Sequence, residues 1–143
     1  MLPDDWKSVR HFKAHEFYPD PAKASRRLVR MLDGLRDQAE CEIVIHECWA
    51  KDGHSKRSKH YEDPCEAVDL HFVGLTVVEQ YALLAFRPVI GAIGYYPWWA
   101  SGDGWHIDLR DVSPRVLWVS PRRGVYRYGE PALLEALGVY SSA

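Results

Sequence analysis

The fold of this chain is constrained most by five short β-rich segments, which occur as a pair and then as a group of three. One segment with helical periodicity separates the two groups, so the strands do not alternate one by one with helices. Clustered strands favour antiparallel pairing, whereas strict alternation would indicate βαβ units. We therefore predict an α+β fold with a mostly antiparallel sheet flanked by helices. The strand segments are 41–49, 67–73, 89–96, 105–110 and 115–119.

Helical patterns lie before, between and after the strand groups. Residues 22–38 and 76–87 each place apolar side chains on one helical face. Residues 131–138 begin with Pro and end with Gly, which favours a short helix. A chain of 143 residues is long enough for one hydrophobic core and short for two. We therefore predict a single domain over residues 1–143.

Composition and charge exclude several classes of protein. Apolar residues make up 47% of the chain, which is too many for intrinsic disorder. The formal net charge of −2 gives no long-range attraction to nucleic acid or to anionic lipid, so we expect neither as a partner, and we expect a monomer. The basic runs 56–59 and 121–123 are expected to be solvated surface. We find no apolar signal region or membrane span, and we expect synthesis in the cytoplasm.

The three cysteines, Cys41, Cys48 and Cys65, are an odd number without CxxC spacing. This pattern argues against a disulfide framework and against a four-cysteine zinc site. Cysteine-based hydrolysis through Cys48 or Cys65 is a remaining alternative, although neither residue lies in an established nucleophile motif. We expect reduced thiols.

The segment 53–72, GHSKRSKHYEDPCEAVDLHF, concentrates metal-binding groups between two predicted strands. It contains His60 and Asp69, and His106 begins a later strand. Two imidazoles and one carboxylate are typical of a catalytic zinc site, in which a fourth position is left to water. These three side chains are therefore candidate ligands of one divalent ion, although histidines with nearby carboxylates also occur by chance.

Two carboxylates flank His106 and are candidates to accept and deliver the proton that hydrolysis requires. Asp103 lies three residues before His106, and Asp108 lies two residues after it. Residues two apart in a strand share a face, so Asp108 is expected on the side of His106.

These blocks resemble the M15 family of zinc D-Ala-D-Ala carboxypeptidases and phage L-alanyl-D-glutamate endopeptidases. The matching stretches are SKH (58–60), AVD (67–69), IGAIGYYP (90–97), DGWHIDLR (103–110) and HFKAHEF (11–17). The resemblance implies the fold shared with the hedgehog signalling domain. It also implies Zn²⁺ on His60, Asp69 and His106, with Asp103 as general base and acid. Asp108 is the second choice for that role, and its alternative role is to orient His106.

The chain departs from the family pattern in two ways. Eight residues, rather than six, separate His60 from Asp69. If this insertion misplaces Asp69, then Glu62, Cys65 and Glu66 become substitute ligands. The family's arginine at the end of the preceding strand also corresponds here to Ala50. The cations that could replace it are Lys51, Lys56 and Arg57.

Several further residues are candidates to bind substrate. They are His54, Arg57, Ser58, Tyr96 and Trp105. The resemblance implies a peptidase that cleaves peptidoglycan stem peptides, of the kind that phages or prophages use for lysis, acting on the cell wall. The alternative function is a non-catalytic zinc domain of the same fold that serves as a binding or structural module.

Overall fold

A six-stranded β-sheet forms the centre of the fold. The computed structural model describes residues 1–50 and 58–139. The strands are β1 (Ile43–Glu47), β2 (Ala67–Phe72), β3 (Ala92–Tyr96), β4 (Gly104–Asp108), β5 (Val116–Arg122) and β6 (Val125–Tyr128). Their order in the sheet is β1-β2-β4-β3-β5-β6. The β3–β5 pair is parallel, and the other neighbours are antiparallel. The predicted α+β class with a mostly antiparallel sheet is confirmed.

Strand β6 was not predicted from the sequence. It has four residues, largely exposed, and pairs with β5 across the turn that contains Gly124. Gly124 has a φ of 77°, a left-handed conformation that glycine adopts without steric cost. A short exposed edge strand lacks the apolar alternation that reveals half-buried strands.

Within the described residues, three α-helices accompany the sheet, where the sequence patterns predicted them. They are α1 (Arg26–Ala39), α2 (Val77–Ala85) and α3 (Glu130–Ala136). Ser25 caps α1 by accepting a hydrogen bond from Leu28 N at 2.9 Å, and Thr76 caps α2 by accepting one from Glu79 N at 3.2 Å. Such caps satisfy backbone donors that a helix leaves unpaired and typically contribute about 1 kcal/mol each.

One face of the sheet is packed against the helices. Trp105 in β4 is fully buried there and stacks on Tyr95 of β3 with ring centroids 4.9 Å apart. Its indole Nε1 donates to Gln80 Oε1 of α2 at 2.9 Å. Because side chains alternate along a strand, His106, next to Trp105, points from the opposite face, which carries the residues described below.

Glycines in β3 and β4 allow aromatic rings to lie close to this second face. A Cβ atom on Gly94 would come within 2.2 Å of the Trp118 indole, and one on Gly104 within 1.8 Å of the Trp99 ring. Real Cβ atoms do not approach other atoms so closely, so both positions require glycine. The glycine-rich sequence before the site therefore has a packing role. None of the helices in the described part of the chain is long and apolar enough to cross a membrane.

Candidate metal centre

His60, Asp69 and His106 converge on one point above the sheet. Asp69 in β2 and His106 in β4 occupy paired positions of neighbouring strands. His60 comes from the short 3-10 helix Lys59–Tyr61. His60 Nε2 lies 3.1 Å from His106 Nδ1 and 3.1 Å from Asp69 Oδ1. His106 Nδ1 lies 3.0 Å from Asp69 Oδ1. We call these residues the triad.

The other ring nitrogen of each histidine is held by an acceptor. His60 Nδ1 lies 2.6 Å from the Cys48 carbonyl oxygen, and His106 Nε2 lies 2.9 Å from Asp108 Oδ2. A carbonyl or carboxylate oxygen only accepts hydrogen bonds, so these nitrogens carry the protons. In the neutral rings, His60 Nε2 and His106 Nδ1 then present lone pairs to each other and to the Asp69 carboxylate.

Three electron-rich atoms directed at one another need a cation between them. Donor atoms about 2.0–2.1 Å from a tetrahedral zinc ion are separated by about 3.3 Å. The observed separations of 3.0–3.1 Å are close to this value. His60 is 2% exposed and His106 is 9% exposed, so water screens the repulsion poorly. The triad could therefore hold a metal ion, as its donor types and positions indicate.

The pKa values of the triad residues also indicate that this site favours a bound positive charge. Burial would raise the pKa of Asp69, but hydrogen bonds from His106 and His60 outweigh it and hold the pKa well below its usual range. Burial would lower the pKa of His106, but its hydrogen bonds to Asp108 and Asp69 outweigh this effect and raise the pKa to about 9. Without a metal, the site therefore binds a proton tightly.

The long spacing between His60 and Asp69 does not separate the ligands. Cys65 N donates to the Lys23 carbonyl oxygen at 2.7 Å, and Ser25 N donates to the Cys65 carbonyl oxygen at 3.0 Å. These bonds attach the end of the inserted segment to residues 23–25, directly before α1, and Asp69 stays in register within β2. The direction of the Asp69 carboxylate is fixed by this anchor at Cys65 and by the pairing of β2 with β4.

The substitute ligands considered for that insertion have other partners. Glu62 pairs with Lys59 at 2.8 Å, and Glu66 accepts a hydrogen bond from Ser25 Oγ at 3.0 Å. Cys65 Sγ donates to the Ala67 carbonyl oxygen at 3.3 Å. Within the described residues, the group able to hold a metal consists of His60, Asp69 and His106.

Asp108 lies behind His106, on the side of the ring away from the other two triad residues. Its carboxylate accepts from His106 Nε2 and from Arg110 Nε and Nη2, the latter two at 2.7 Å. It is 1% exposed. This geometry suits the alternative role stated above, because a carboxylate in this place orients the ligand ring.

Asp103 contacts a residue of the helix-covered face. Its carboxylate accepts a hydrogen bond from the Tyr95 hydroxyl, and Tyr95 belongs to the helix-covered face, where it stacks on Trp105. Asp103 lies just before β4 rather than in it, so strand alternation does not fix its direction. Its role as the proton acceptor stays a prediction.

The predicted substrate residues have different outcomes. Trp105 is wrong as a cleft residue, because it is fully buried between the sheet and α2. Ser58 and Tyr96 do line the cavity at the triad. Tyr96 is fixed there, since its hydroxyl accepts from Trp118 Nε1 at 3.1 Å. His54, Arg57, Lys51 and Lys56 lie outside the described residues.

A cavity of about 430 Å³ opens directly on the triad. Its walls are largely aromatic, and its other charged side chains are cations. The aromatic residues are Tyr96, Trp98, Trp99, Trp118 and Tyr126, and the cations are Lys59, Arg110 and Arg123. A site with apolar walls and a few convergent polar groups is typical of ligand binding.

Glu47 is a carboxylate near the triad that the sequence did not single out. A β-bulge between Ile45 and Glu47 shifts the register of β1, so that Glu47 rather than His46 is paired with Asp69. Paired residues share a face of the sheet. Glu47 lines a second cavity, which adjoins the first along Asp69, Trp98 and Trp99. A β-bulge changes the direction of side chains in this way. It is defined by the pairing of two strands, so the sequence of one strand does not reveal it.

A second histidine pair lies on the same face, nearer the sheet edge. His46 Nε2 is 2.6 Å from His71 Nδ1, and Ser101 Oγ is 3.4 Å from His46 Nε2. His46 is exposed and His71 is half-buried. We call these two residues the edge pair.

The cysteines are free, and Cys48 and Cys65 are fully buried. A hydrogen bond to Cys65, together with burial, raises the pKa of the Cys48 thiol. A buried thiol with a raised pKa is a poor nucleophile. This environment argues against hydrolysis through Cys48.

Comparisons with protein-family models, with curated proteins and with solved structures found no match for this chain. The family resemblance therefore depends on the sequence blocks themselves, and the function is inferred from the site.

Proposed function

We propose that this protein is a zinc-dependent peptidase that hydrolyses an amide bond in the peptide stems of bacterial peptidoglycan, on a hedgehog-like fold of the M15 type. The observation that carries the proposal is the convergence of His60 Nε2, Asp69 Oδ1 and His106 Nδ1 within 3.0–3.1 Å of one another at an open cavity. Three N and O ligands with access to solvent favour a catalytic zinc site over a closed structural one.

The protein residues around the triad have distinct tasks. Cys48 and Asp108 fix the protonated nitrogens of the two histidines, so the ligand atoms are preorganised. A zinc ion held there supplies a Lewis acid that activates water and polarises a carbonyl. The aromatic walls reduce access of bulk water and contact the peptide.

Glu47 is the proton acceptor in this proposal. It shares the sheet face of Asp69, at a cavity that adjoins the triad. The Asp103 carboxylate accepts a hydrogen bond from the Tyr95 hydroxyl, and Asp108 lies behind His106. A general base accepts a proton from water and returns it to the leaving amine, which typically contributes a factor of about 10²–10⁴ to the rate.

The cavity supports a peptide substrate, and the resemblance supports peptidoglycan as its source. Stem peptides carry free carboxylates, which suit the cationic side chains at the cavity. A phage or prophage lysis enzyme that acts on the cell wall fits this chemistry.

The proposal is tested by release of new amines from purified peptidoglycan. We expect release by the zinc-loaded protein and none by Asp69→Ala. Glu47→Gln is expected to lower the rate by at least about 100-fold without loss of bound zinc, whereas Asp103→Asn has little effect. If the zinc-loaded parent releases no amines, the peptidase proposal fails. If Asp103→Asn is the damaging variant, Glu47 is not the proton acceptor.

A non-catalytic zinc domain of the same fold is the second candidate. It is favoured by Ala50, a buried residue at the position where the family carries an arginine. This candidate predicts a protein that binds zinc and sediments with purified peptidoglycan without releasing amines from it.

A further inference from the structure

Arg123 occupies a defined place at the cavity mouth. It lies in the turn between β5 and β6, and it lines the triad cavity together with Gly124 and Tyr126. Its guanidinium carbon is 5.4 Å from the centre of the Trp98 ring. A cation over an aromatic face at this distance is attracted by the ring. The sequence indicated only solvated surface for residues 121–123.

The platform beneath Arg123 is itself fixed. Trp98 Nε1 donates to Ser120 Oγ at 3.4 Å, and Ser120 Oγ donates to the Arg122 carbonyl oxygen at 3.0 Å. Ser120 is fully buried. The indole is therefore attached to the same hairpin that carries Arg123, which restricts where the guanidinium can go.

The other two cations at the cavity are already paired. Arg110 binds both oxygens of Asp108 at 2.7 Å, and Lys59 pairs with Glu62 at 2.8 Å. For Arg123, by contrast, the structure shows no hydrogen bond or ion pair with any residue in 1–50 or 58–139. Arg123 is exposed, and its guanidinium carries five N–H donors.

We propose that Arg123, held over Trp98, forms a subsite for a carboxylate of the bound peptide. A guanidinium presents two parallel N–H donors that match a carboxylate. Stacking on an indole already restricts the arginine side chain, so less conformational entropy is lost on binding. The substrate class is therefore an anionic peptide, with its carboxylate at the β5–β6 hairpin and its backbone directed to the triad. This subsite rests on the proposed function only for the source of the peptide.

The test measures peptide binding separately from hydrolysis. The probes are N-acetyl-L-Ala-D-Glu-L-Lys-D-Ala-D-Ala and the same peptide with its carboxylates converted to carboxamides. Affinities are measured by titration calorimetry on the zinc-loaded parent, Arg123→Gln, Arg123→Lys and the control Arg122→Gln. Arg122 is an exposed arginine of the same hairpin that does not line the cavity. Melting temperatures verify that each variant is folded.

We expect Arg123→Gln to weaken binding of the acidic peptide about tenfold, which corresponds to about 1.4 kcal/mol, and to leave the amidated peptide unaffected. Arg123→Lys should recover part of the loss, because lysine keeps the charge without the planar fork. Arg122→Gln should match the parent. The subsite is overturned if neither peptide binds, if the parent binds both peptides equally, or if the Arg123 and Arg122 variants behave alike.

The outcomes also separate this inference from the proposed function. Arg123-dependent binding without amine release retains the subsite and rejects the peptidase. Amine release with no preference for carboxylates retains the peptidase and rejects the subsite.

Discussion

The triad and the edge pair lie on the same face of one sheet, yet their chemistry differs. Both bring ring nitrogens together, at 3.1 Å between His60 and His106 and at 2.6 Å between His46 and His71. In the triad, Cys48 and Asp108 accept hydrogen bonds from the outer ring nitrogens of the two histidines, and Asp69 adds a negative charge. In the edge pair, one ring donates directly to the other, and the described residues supply no carboxylate hydrogen bond.

The difference teaches that proximity of two histidines does not by itself make a metal site. The edge pair satisfies its own hydrogen bond and is accessible to solvent, so it needs no cation. The triad places electron-rich atoms together in a buried position, where a bound metal ion or a proton relieves the repulsion. The ability of the triad to bind metal therefore depends on the buried hydrogen-bond partners of its histidines, Cys48 and Asp108, and not on the histidines alone.

Removing a triad ligand should have the largest effect. We expect His106→Ala to weaken zinc binding by more than about 100-fold, because removing a ligand weakens binding more than removing a residue that hydrogen-bonds to a ligand. Competition with a chromophoric chelator measures this affinity. His71→Ala, on the neighbouring strand β2, serves as the matched control. Equal losses in the two variants would contradict the comparison.

Zinc affinity should rise steeply with pH. His106, whose pKa is raised from 6.5 to about 9 in the metal-free protein, is protonated at pH 7 and must release a proton to bind metal. Apparent affinity should therefore increase about 50-fold between pH 7 and pH 9, because the deprotonated fraction of His106 rises from about 1% to about one half. Calorimetry in buffers of different ionisation enthalpy should detect proton release at pH 7. Absence of release would contradict a protonated His106.

The raised pKa of His106 should also make the metal-free protein less stable at high pH, whereas it makes zinc binding stronger there. A raised folded-state pKa stabilises the fold below the unfolded value of 6.5, and this contribution disappears as the pH rises through about 9. Urea titrations of the metal-free protein at these pH values should show a lower free energy of unfolding at the higher pH.

Neutralising the partner of His106 should have an intermediate effect. Asp108→Asn keeps an acceptor for His106 Nε2 but removes its charge, and we expect zinc affinity to fall about 10- to 100-fold. The loss should be larger at pH 9 than at pH 7, because the variant also lowers the pKa of His106 and so weakens proton competition. A loss independent of pH would indicate a structural effect alone.

Disrupting the edge pair should have the smallest effect. His46→Ala and His71→Ala are expected to change zinc affinity at the triad by less than about threefold, since neither residue belongs to the metal-binding group. Metal analysis after dialysis should find one ion per chain in both variants. A second retained ion in the parent, lost in these variants, would show that the edge pair also binds metal.

The sequence predicts the helices and most strands of this molecule well because they are encoded locally. Apolar stripes and caps define the helices. His60, Asp69 and His106 could be named from residue type together with the family resemblance of their sequence blocks, and the structure brings them together. Strand alternation could also have placed Trp105 correctly, because it is adjacent to His106 in β4 and therefore points to the opposite face.

Other features depend on contacts between distant segments. The bulge that aims Glu47 at the face of Asp69 arises from pairing of β1 with β2, and single-strand periodicity does not reveal it. Arg123 joins the cavity because β6 folds back along β5 beside Trp98. A charged residue in an exposed turn carries no local signal of this position.

The attachment of Cys65 to Lys23 and Ser25 has a consequence for how this loop can vary in length. The anchored stretch from Cys65 to Asp69 cannot gain or lose a residue without turning the carboxylate to the other side of β2. The exposed stretch at positions 62–64 bears no such restriction. An insertion at positions 62–64 should therefore leave the triad in place, whereas an insertion between Cys65 and Asp69 should displace the carboxylate.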